Sequence, residues 1–557
     1  MPKITIDNKE LEFKPGQTII QVAKDNGIEI PHFCWHPSLS VSGNCRVCLV
    51  EVEKMPKLVI ACATIAADGM VVHTQSEKTI SARNAVMEFI LINHPLDCPI
   101  CDEAGECKLQ DYAYQHSVGE SRFTETKQHK DKRVELGPHV MFDGERCISC
   151  SRCIRFCYEV AGENQLTFVK RGDKVTIVTF PGKQLDNPYS LNVTDICPVG
   201  ALTNRDFRFK SRVWDMSSTK TICSGCSRGC NTDMWVRSNE VLRLTPRYNE
   251  NVNSYWMCDN GRLNTFKFVN EDSRVNGPHL RRDGKLTKVG WDEVFASAVS
   301  ELKSFNKDEV AFIGSAYSTL EDNFLFAKFA KSVFGSKNFD FPRVTVPGSG
   351  DNILITEDKR PNSLGAELVG MSGNGMNFNQ IIKGVIDGKI KALYVVDENL
   401  IELNPELEAN IAKLDLLIVH ASNFNTLTNY ANIVFPSATY AEKNGTWINI
   451  EGRIQRLKPA VATFEADRSL DGMAMSRLDK FGTEYDRWGK VRKVDARSTW
   501  KIIVGLANAF GTKYKYTMAE EVFSDISKSI DEFKDLNYDS IGEFGTQLKL
   551  KKQIVKV

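Results

Sequence analysis

Past Cys258 this chain of 557 residues holds no cysteine, although it has sixteen in all. Its C-terminal half therefore offers neither a thiolate metal site nor a disulfide. Long apolar runs are also missing. The stretch Ile80 to Leu91 is among the longest and is broken by charge, well short of the ~18 apolar residues a membrane span needs, so a soluble or peripheral protein is expected. Net charge is absent too: 71 Lys and Arg balance 71 Asp and Glu, which gives no field to attract a polyanion, and no nucleic-acid partner is expected. The chain opens Met-Pro-Lys-Ile-Thr-Ile, without an apolar signal core or an Arg- and Ser-rich transit segment, and a reducing compartment is the expectation. There is no Walker loop. The strings Gly348-Ser349-Gly350 and Gly370-Met371-Ser372-Gly373-Asn374-Gly375 are not a G-x-G-x-x-G between strand and helix, so they read as turns and no NADH or flavin site is expected.

What is present is concentrated in the N-terminal half. Fifteen cysteines and one histidine sort into four consecutive groups with metal-ligand spacing. They are Cys34-x10-Cys45-x2-Cys48-x13-Cys62, His94-x3-Cys98-x2-Cys101-x5-Cys107, Cys147-x2-Cys150-x2-Cys153 with Cys197, and Cys223-x2-Cys226-x3-Cys230-x27-Cys258. Short C-x2-C clips in a large chain without a secretory leader read as metal ligands rather than disulfides. Zinc competes for the first and fourth groups, but zinc ribbons favour two C-x2-C clips and the first group has one. Iron–sulfur clusters are the leading reading, and a row of them moves single electrons instead of transforming a substrate.

Each group has its own local setting. Lys3 to Asp7 and Leu11 to Phe13 alternate in polarity around an Asn-Lys turn and read as a β-hairpin. Thr18 to Asn26 follows with helical spacing, placing Ile19, Ile20, Val22 and Ala23 in a core and Gly27 as C-cap. Ser42, Gly43 and Asn44 are small enough to let backbone N–H groups approach the sulfurs. Thr79 to Asn93 reads as an amphipathic helix with Val86, Phe89, Ile90 and Ile92 on its apolar side, delivering His94 to a C-x2-C-x5-C run that lacks a fourth cysteine. A neutral imidazole there leaves the cluster one negative charge short, which by itself favours reduction. Cys147 to Cys157 matches the bacterial ferredoxin run C-x2-C-x2-C-x3-C, yet Tyr158 follows Cys157 where that run has proline. The remote Cys197-Pro198 supplies the fourth ligand, and Cys157 is left as a spare thiol packed nearby. Later, Val310 to Gly314, Ala392 to Val396, Leu416 to Val419 and Ile433 to Phe435 are short apolar runs between helical segments, the pattern of a doubly wound parallel sheet. Thr499 to Leu548 reads as amphipathic helices, with Phe523, Ile526 and Ile530 packing on this domain or on a neighbouring subunit.

Strand, strand, helix and cysteine loop resemble the β-grasp fold of plant-type ferredoxins, with the longer first loop seen in respiratory complex I and its hydrogenase and formate dehydrogenase relatives. The His-Cys-Cys-Cys group resembles the same enzymes. Cys223 to Cys258 resembles the module that opens molybdopterin oxidoreductases, as do Arg281-Arg282-Asp283-Gly284-Lys285, Gly290-Trp291-Asp292-Glu293-Val294 and Pro436 to Arg456. Where active members place a metal-binding side chain, Asp340 to Val346 offers no cysteine, so a degenerate domain without molybdenum is expected.

The whole order is similar to the large iron–sulfur subunit family of respiratory NADH:quinone oxidoreductase. The resemblance implies a multidomain α+β and α/β chain: residues 1–80 a [2Fe–2S] β-grasp domain, 81–120 a [4Fe–4S] domain with one histidine and three cysteine ligands, 121–215 a ferredoxin-like [4Fe–4S] domain, 216–272 a molybdopterin-type [4Fe–4S] module, and 273–557 the degenerate α/β domain with a helical tail. It implies one [2Fe–2S] and three [4Fe–4S] clusters on the sixteen ligands above, and no catalytic residue on this chain although it is part of an oxidoreductase. Electrons would run from an FMN/NADH-binding subunit through the Cys34, Cys147 and His94 sites toward quinone, with the Cys223 site off that route and structural. Partners would be that subunit, a small 2Fe–2S subunit, an 8Fe ferredoxin-like subunit and the quinone-site subunits. The location would be peripheral, on the cytoplasmic side of a bacterial inner membrane. The alternative is the large subunit of a NAD-linked formate dehydrogenase, which the lack of cysteine after residue 258 disfavours.

Overall fold

The computed structural model describes residues 1–465, 475–482 and 493–550, and the chain divides into two compact units, Met1–Trp214 and Asp215–Val557. No helix among the described residues is long and apolar enough to cross a membrane.

The first unit begins with the expected hairpin. Strands β1 (Lys3–Ile6) and β2 (Lys9–Glu12) are joined through Asp7 and Asn8 at φ 44° and 66°, one residue earlier than the sequence suggested. Positive φ at both central positions suits the right-handed strand twist, and Asp and Asn bear it best after glycine. With β3 (Leu49–Val52), β4 (Val59–Ile60) and β5 (Met70–His73) they form one sheet in the order β2-β1-β5-β3-β4, with β1 and β5 parallel. The helix Ile19–Asp25 covers it, burying Ile19, Ile20, Val22 and Ala23 against Ile4, Ile6, Val50 and Val72. Asn26 is its C-cap and Gly27 takes the left-handed position after it, φ 70°.

The next helix runs Glu77–Leu91, capped by Ser76, and buries a face other than the expected one. Thr79, Arg83 and Met87 point inward while Phe89 is 75% exposed. The buried stripe is anchored by a polar contact that hydrophobic periodicity does not register: the Arg83 guanidinium donates to the Thr74 carbonyl at 3.1 Å. The rest of the unit adds β6 (Val134–Glu135), β7 (Val140–Phe142), the hairpin β8 (Leu166–Val169) and β9 (Thr176–Thr179), and β10 (Leu202–Asn204). Strands β10, β7 and β6 make a small antiparallel sheet beside the helices Arg152–Glu159 and Asn192–Ile196.

The second unit starts with an antiparallel sheet of β11 (Ser217–Ile222), β12 (Asn231–Arg237) and β13 (Glu240–Pro246). Behind it stands a seven-stranded sheet built from β14 (His279–Arg282), β15 (Lys285–Lys288), β16 (Val310–Ile313), β17 (Phe339–Asp340), β18 (Ala392–Val396), β19 (Leu416–Ala421) and β20 (Ile433–Pro436), ordered β15-β14-β20-β19-β18-β16-β17. The four expected apolar runs are its fully buried parallel centre, and antiparallel β14 and β15 close one edge. Alternate side chains of β16, β18 and β19 feed two separate cores, so both faces are covered, as a doubly wound sheet requires. A third sheet joins β21 (Gly445–Ile448), β22 (Arg453–Leu457) and β23 (Thr546–Gln547). The tail helices Thr499–Ala509 and Ala519–Ser529 pack into this unit's own core, with Phe523 and Ile526 fully buried and Ile530 partly so. Both glycine strings lie outside helix and strand.

Candidate metal centres

All sixteen cysteines are free thiols. At the first site Cys34, Cys48 and Cys62 are buried and Cys45 half-buried. Their sulfurs touch: Cys45 and Cys62 hydrogen-bond to Cys34, which holds the Cys34 thiol well below its usual range, and Cys62 bonds Cys48 as well. The backbone N–H groups of Cys45 and Asn44 also face Cys34, as the small-residue loop suggested. Arg46 pays for the turn with φ 62°, a strain of about 1–3 kcal/mol in a non-glycine residue.

At the second site a 3₁₀ turn, Cys98–Ile100, leads to Cys107, which precedes the helix Lys108–His116. Burial pushes the Cys107 thiol up to about 11. Burial, helped by the charges of Arg146 and Lys127, pushes His94 down to about 4, and its Nδ1 is buried without a hydrogen-bond partner. A neutral imidazole with an orphaned buried nitrogen is in the form a metal requires. The Arg146 guanidinium acts on both His94 and Cys101, which puts the two around the same point.

At the third site Cys150 and Cys153 are buried, Cys147 and Cys197 half-buried. Burial, then the neighbouring Cys150, Cys147 and Cys197, drive the Cys153 thiol far up. Ser149 and Ser151 sit at φ 55° and 63°, and the Ser149 N–H reaches the Cys147 sulfur at 3.4 Å. Cys157 is 1% exposed and adjoins Cys153, yet its own rise to about 12 comes from burial and Glu163, not from the other cysteines.

The fourth site, in the second unit, gathers Cys223, Cys226, Cys230 and Cys258 in the same way, with burial and the other three sulfurs raising Cys230. N–H groups of Gly225 and Gly261 point at Cys223 and Cys258 at 3.4 and 3.3 Å. Its loop is tied to distant segments: Ser227 N–H to the Asp358 carbonyl, Ile450 N–H to the Ser227 carbonyl, and Gln455 to the Gly229 carbonyl at 3.0 Å.

Among the described residues no three His, Cys, Asp or Glu side chains converge tightly enough to hold a single metal ion. The donor sets fit clusters instead: thiols that burial keeps protonated need several irons to draw off their protons.

Sequence reasoning had no signal for how the sites are joined in the first unit. Arg155 donates to the carbonyls of Cys34 at 2.5 Å and Cys150 at 3.4 Å, Asn44 to the Ser149 carbonyl at 3.0 Å, and Ser151 to Ser42 at 3.1 Å. The first site thus abuts the third. The third abuts the second through Cys197-Pro198-Val199-Gly200: Lys108 N–H bonds the Pro198 carbonyl at 3.1 Å, and a Cβ on Gly200 would stand 2.3 Å from the Cys101 sulfur. Arg146, next to Cys147, also pairs with Asp97, next to Cys98, at 2.9 Å. The only foresight available was that arginines and glycines interleaved with ligand cysteines are close to clusters.

The α/β domain presents a different picture. At the carboxyl ends of β16 and β18, where an open sheet usually binds ligand, Ser315 donates to Glu398 at 2.7 Å and Ser318 to Asp397 at 3.0 Å. Lys443 pairs with Asp322 and Asp397 at 3.1 and 3.0 Å, and Arg360 with Glu398 at 3.0 Å. These acids and bases satisfy one another, and such a filled crevice does not fit a pterin.

The known proteins agree with this layout. Family models match in unbroken order: a 2Fe-2S iron–sulfur cluster binding domain at residues 2–77, the NADH-ubiquinone oxidoreductase-G iron–sulfur binding region at 83–122, the ferredoxin-like domain of NADH-quinone oxidoreductase subunit 3 at 137–203, the molybdopterin oxidoreductase Fe4S4 domain at 216–270, and molybdopterin oxidoreductase at 274–364 and 359–470. The NADH-quinone oxidoreductase G subunit of Rickettsia conorii is 39% identical over 340 residues, 61% of this chain and 50% of that one. The chain belongs to the NADH-quinone oxidoreductase G-subunit family. The G subunit of Rickettsia typhi is 36% identical over 416 residues, 74% of this chain and 57% of its own, and the NADH-ubiquinone oxidoreductase 75 kDa subunit of Reclinomonas americana is 39% identical over 338 residues, 60% and 48%. This G-subunit family chain spans about half the length of the curated relatives it matches. A solved NAD+-reducing [NiFe]-hydrogenase chain is 30% identical, covering 38% of this chain and 91% of that one with a TM-score of 0.35.

Proposed function

We propose that the chain is the electron-transfer subunit of an NADH:quinone oxidoreductase, holding one [2Fe–2S] cluster on Cys34, Cys45, Cys48 and Cys62 and three [4Fe–4S] clusters on the other three groups. Such clusters, when bound, take up and give back single electrons. The observation that carries the reading is the contact order first, third, second, which differs from the order in sequence and makes one continuous series of ligand loops. The protein's own part is to bury the sulfurs, exclude water from them and hold neighbouring sites in direct contact.

The ends of the series are distinct. At the second site Cys98 is exposed, and Leu96 and Ile100 beside it are 89% and 63% exposed, which suits an exit toward another subunit. The fourth site pins its loop to three segments of the α/β domain and is assigned a structural role. Donor and acceptor chemistry lies on other chains: an FMN/NADH-binding subunit with a small 2Fe–2S subunit at one end, an 8Fe ferredoxin-like subunit and the quinone-site subunits at the other. The assembly sits peripherally on the cytoplasmic face of a bacterial inner membrane, and the filled crevice of the α/β domain leaves that domain a scaffold without molybdenum.

The test is metal analysis of anaerobically purified protein. About fourteen irons per chain, matching acid-labile sulfide and no molybdenum are expected. Zinc at full occupancy without sulfide would end the electron-transfer reading.

A further inference from the structure

One feature of the first unit is electrostatically anomalous. Arg152, on the helix Arg152–Glu159 between two ligand cysteines, is only 9% exposed, and among the described residues no carboxylate pairs with it. Its Nη1 donates to the Ile196 carbonyl at 3.0 Å, its Nη2 to the Trp35 carbonyl at 2.5 Å, and its Nε has no partner. Ile196 precedes Cys197 and Trp35 follows Cys34, so one guanidinium spans the ligand loops of two sites. A buried cation satisfied only by neutral carbonyls is costly to desolvate and calls for a negative charge close by. The nearby anionic groups are sulfurs: Cys150 and Cys197 on one side, Cys34 and Cys45 on the other. Arg155, one helical turn on, is half-buried and bridges the carbonyls of Cys34 and Cys150.

The junction between the third and second sites is built differently. There Arg146 is neutralised by Asp97 at 2.9 Å and Asp143 at 3.4 Å, and Lys132 by Asp97 and Glu145 at 2.7 Å each. One junction carries a bare positive charge and the other a balanced cluster of charges.

We propose that Arg152 is a positioning residue that sets the reduction potentials of the first and third sites together, its fixed charge favouring an added electron on either. This rests on the cluster assignment above. Each site gains one negative charge on reduction, and a cation within the protein interior is little screened by salt, so both couples shift in the same direction. The charge-balanced second site feels it less.

The experiment is an anaerobic potentiometric titration of the whole protein, with each cluster followed by its paramagnetic resonance signal. In Arg152→Gln the reduced-to-oxidised ratio of both the first and the third cluster, at a fixed potential, is expected to fall about tenfold, which is about 59 mV for a one-electron couple. The His94-site signal should move less, and Arg152→Lys should recover most of the shift. If Arg152→Gln loses a cluster, Arg155→Gln takes its place and should displace both midpoints in the same direction. Unchanged midpoints with both clusters present, or a shift confined to one, overturn the proposal and leave the cluster assignment standing. Protein without iron and sulfide overturns the assignment and this proposal with it.

Discussion

Gly200 packs its Cα against the sulfur of Cys101: a methyl group at residue 200 would stand 2.3 Å from that sulfur and 2.9 Å from the Glu103 Cβ. The turn after Cys197 can approach the second site this closely only because residue 200 has no side chain. Gly200→Ala is therefore expected to push Cys101 out of place and cost the second site its cluster, about four irons per chain. The binuclear signal should persist. Iron content with the resonance spectrum decides it, and a full iron complement would show that the turn yields instead.

His94 offers a buried, unpartnered nitrogen to the same site. His94→Ala should damage that one tetranuclear cluster and slow NADH-to-quinone electron flow in the assembled complex by an order of magnitude or more. Unchanged turnover would remove this site from the route.

Cys157 is buried beside Cys153 but is electrostatically separate from the other cysteines. Cys157→Ser should leave all cluster signals intact while lowering stability by about 1–3 kcal/mol, the cost of burying a hydroxyl. A missing cluster signal would transfer the ligand role from Cys197 to Cys157.

Glu398 lies buried at the crevice of the α/β domain, and burial, opposed by Arg360, raises it to about 7. A carboxyl whose folded value is raised stabilises the fold below its unfolded value near 4.5 and loses that contribution as pH climbs through 7. The loss is about 3 kcal/mol between those limits. Urea unfolding of the α/β domain, followed by fluorescence of Trp447 and Trp500 from pH 5.5 to 8.5, should show stability falling, with the slope flattened in Glu398→Gln. Running the two proteins in parallel cancels acid effects on the thiolate sites, and equal slopes would discard the assignment.

The ligand sets were legible because cluster ligation is encoded locally: C-x2-C clips return cysteines to one point whatever the rest of the chain does. The parallel strands Ala392–Val396 and Leu416–Ala421 were legible for a related reason, since a strand buried on both faces must be apolar throughout. The buried face of the helix Glu77–Leu91 was not, because its inward stripe is centred on Arg83, whose partner is a backbone carbonyl and leaves no hydrophobic pattern. The pairing of Lys443 with Asp322 and Asp397 was equally hidden, as its members lie far apart in sequence.

By itself the sequence determined which sulfurs and which imidazole can hold metal, how many groups they form, and the class of each domain, because spacing and periodicity are properties of short segments. Only the tertiary structure decided the order in which those groups meet. The Cys34 loop is brought to the Cys147 loop by Arg155, and the Cys197 turn to Cys101 by a missing Cβ at Gly200. Contacts across dozens of residues depend on how whole domains pack, and no local spacing records that.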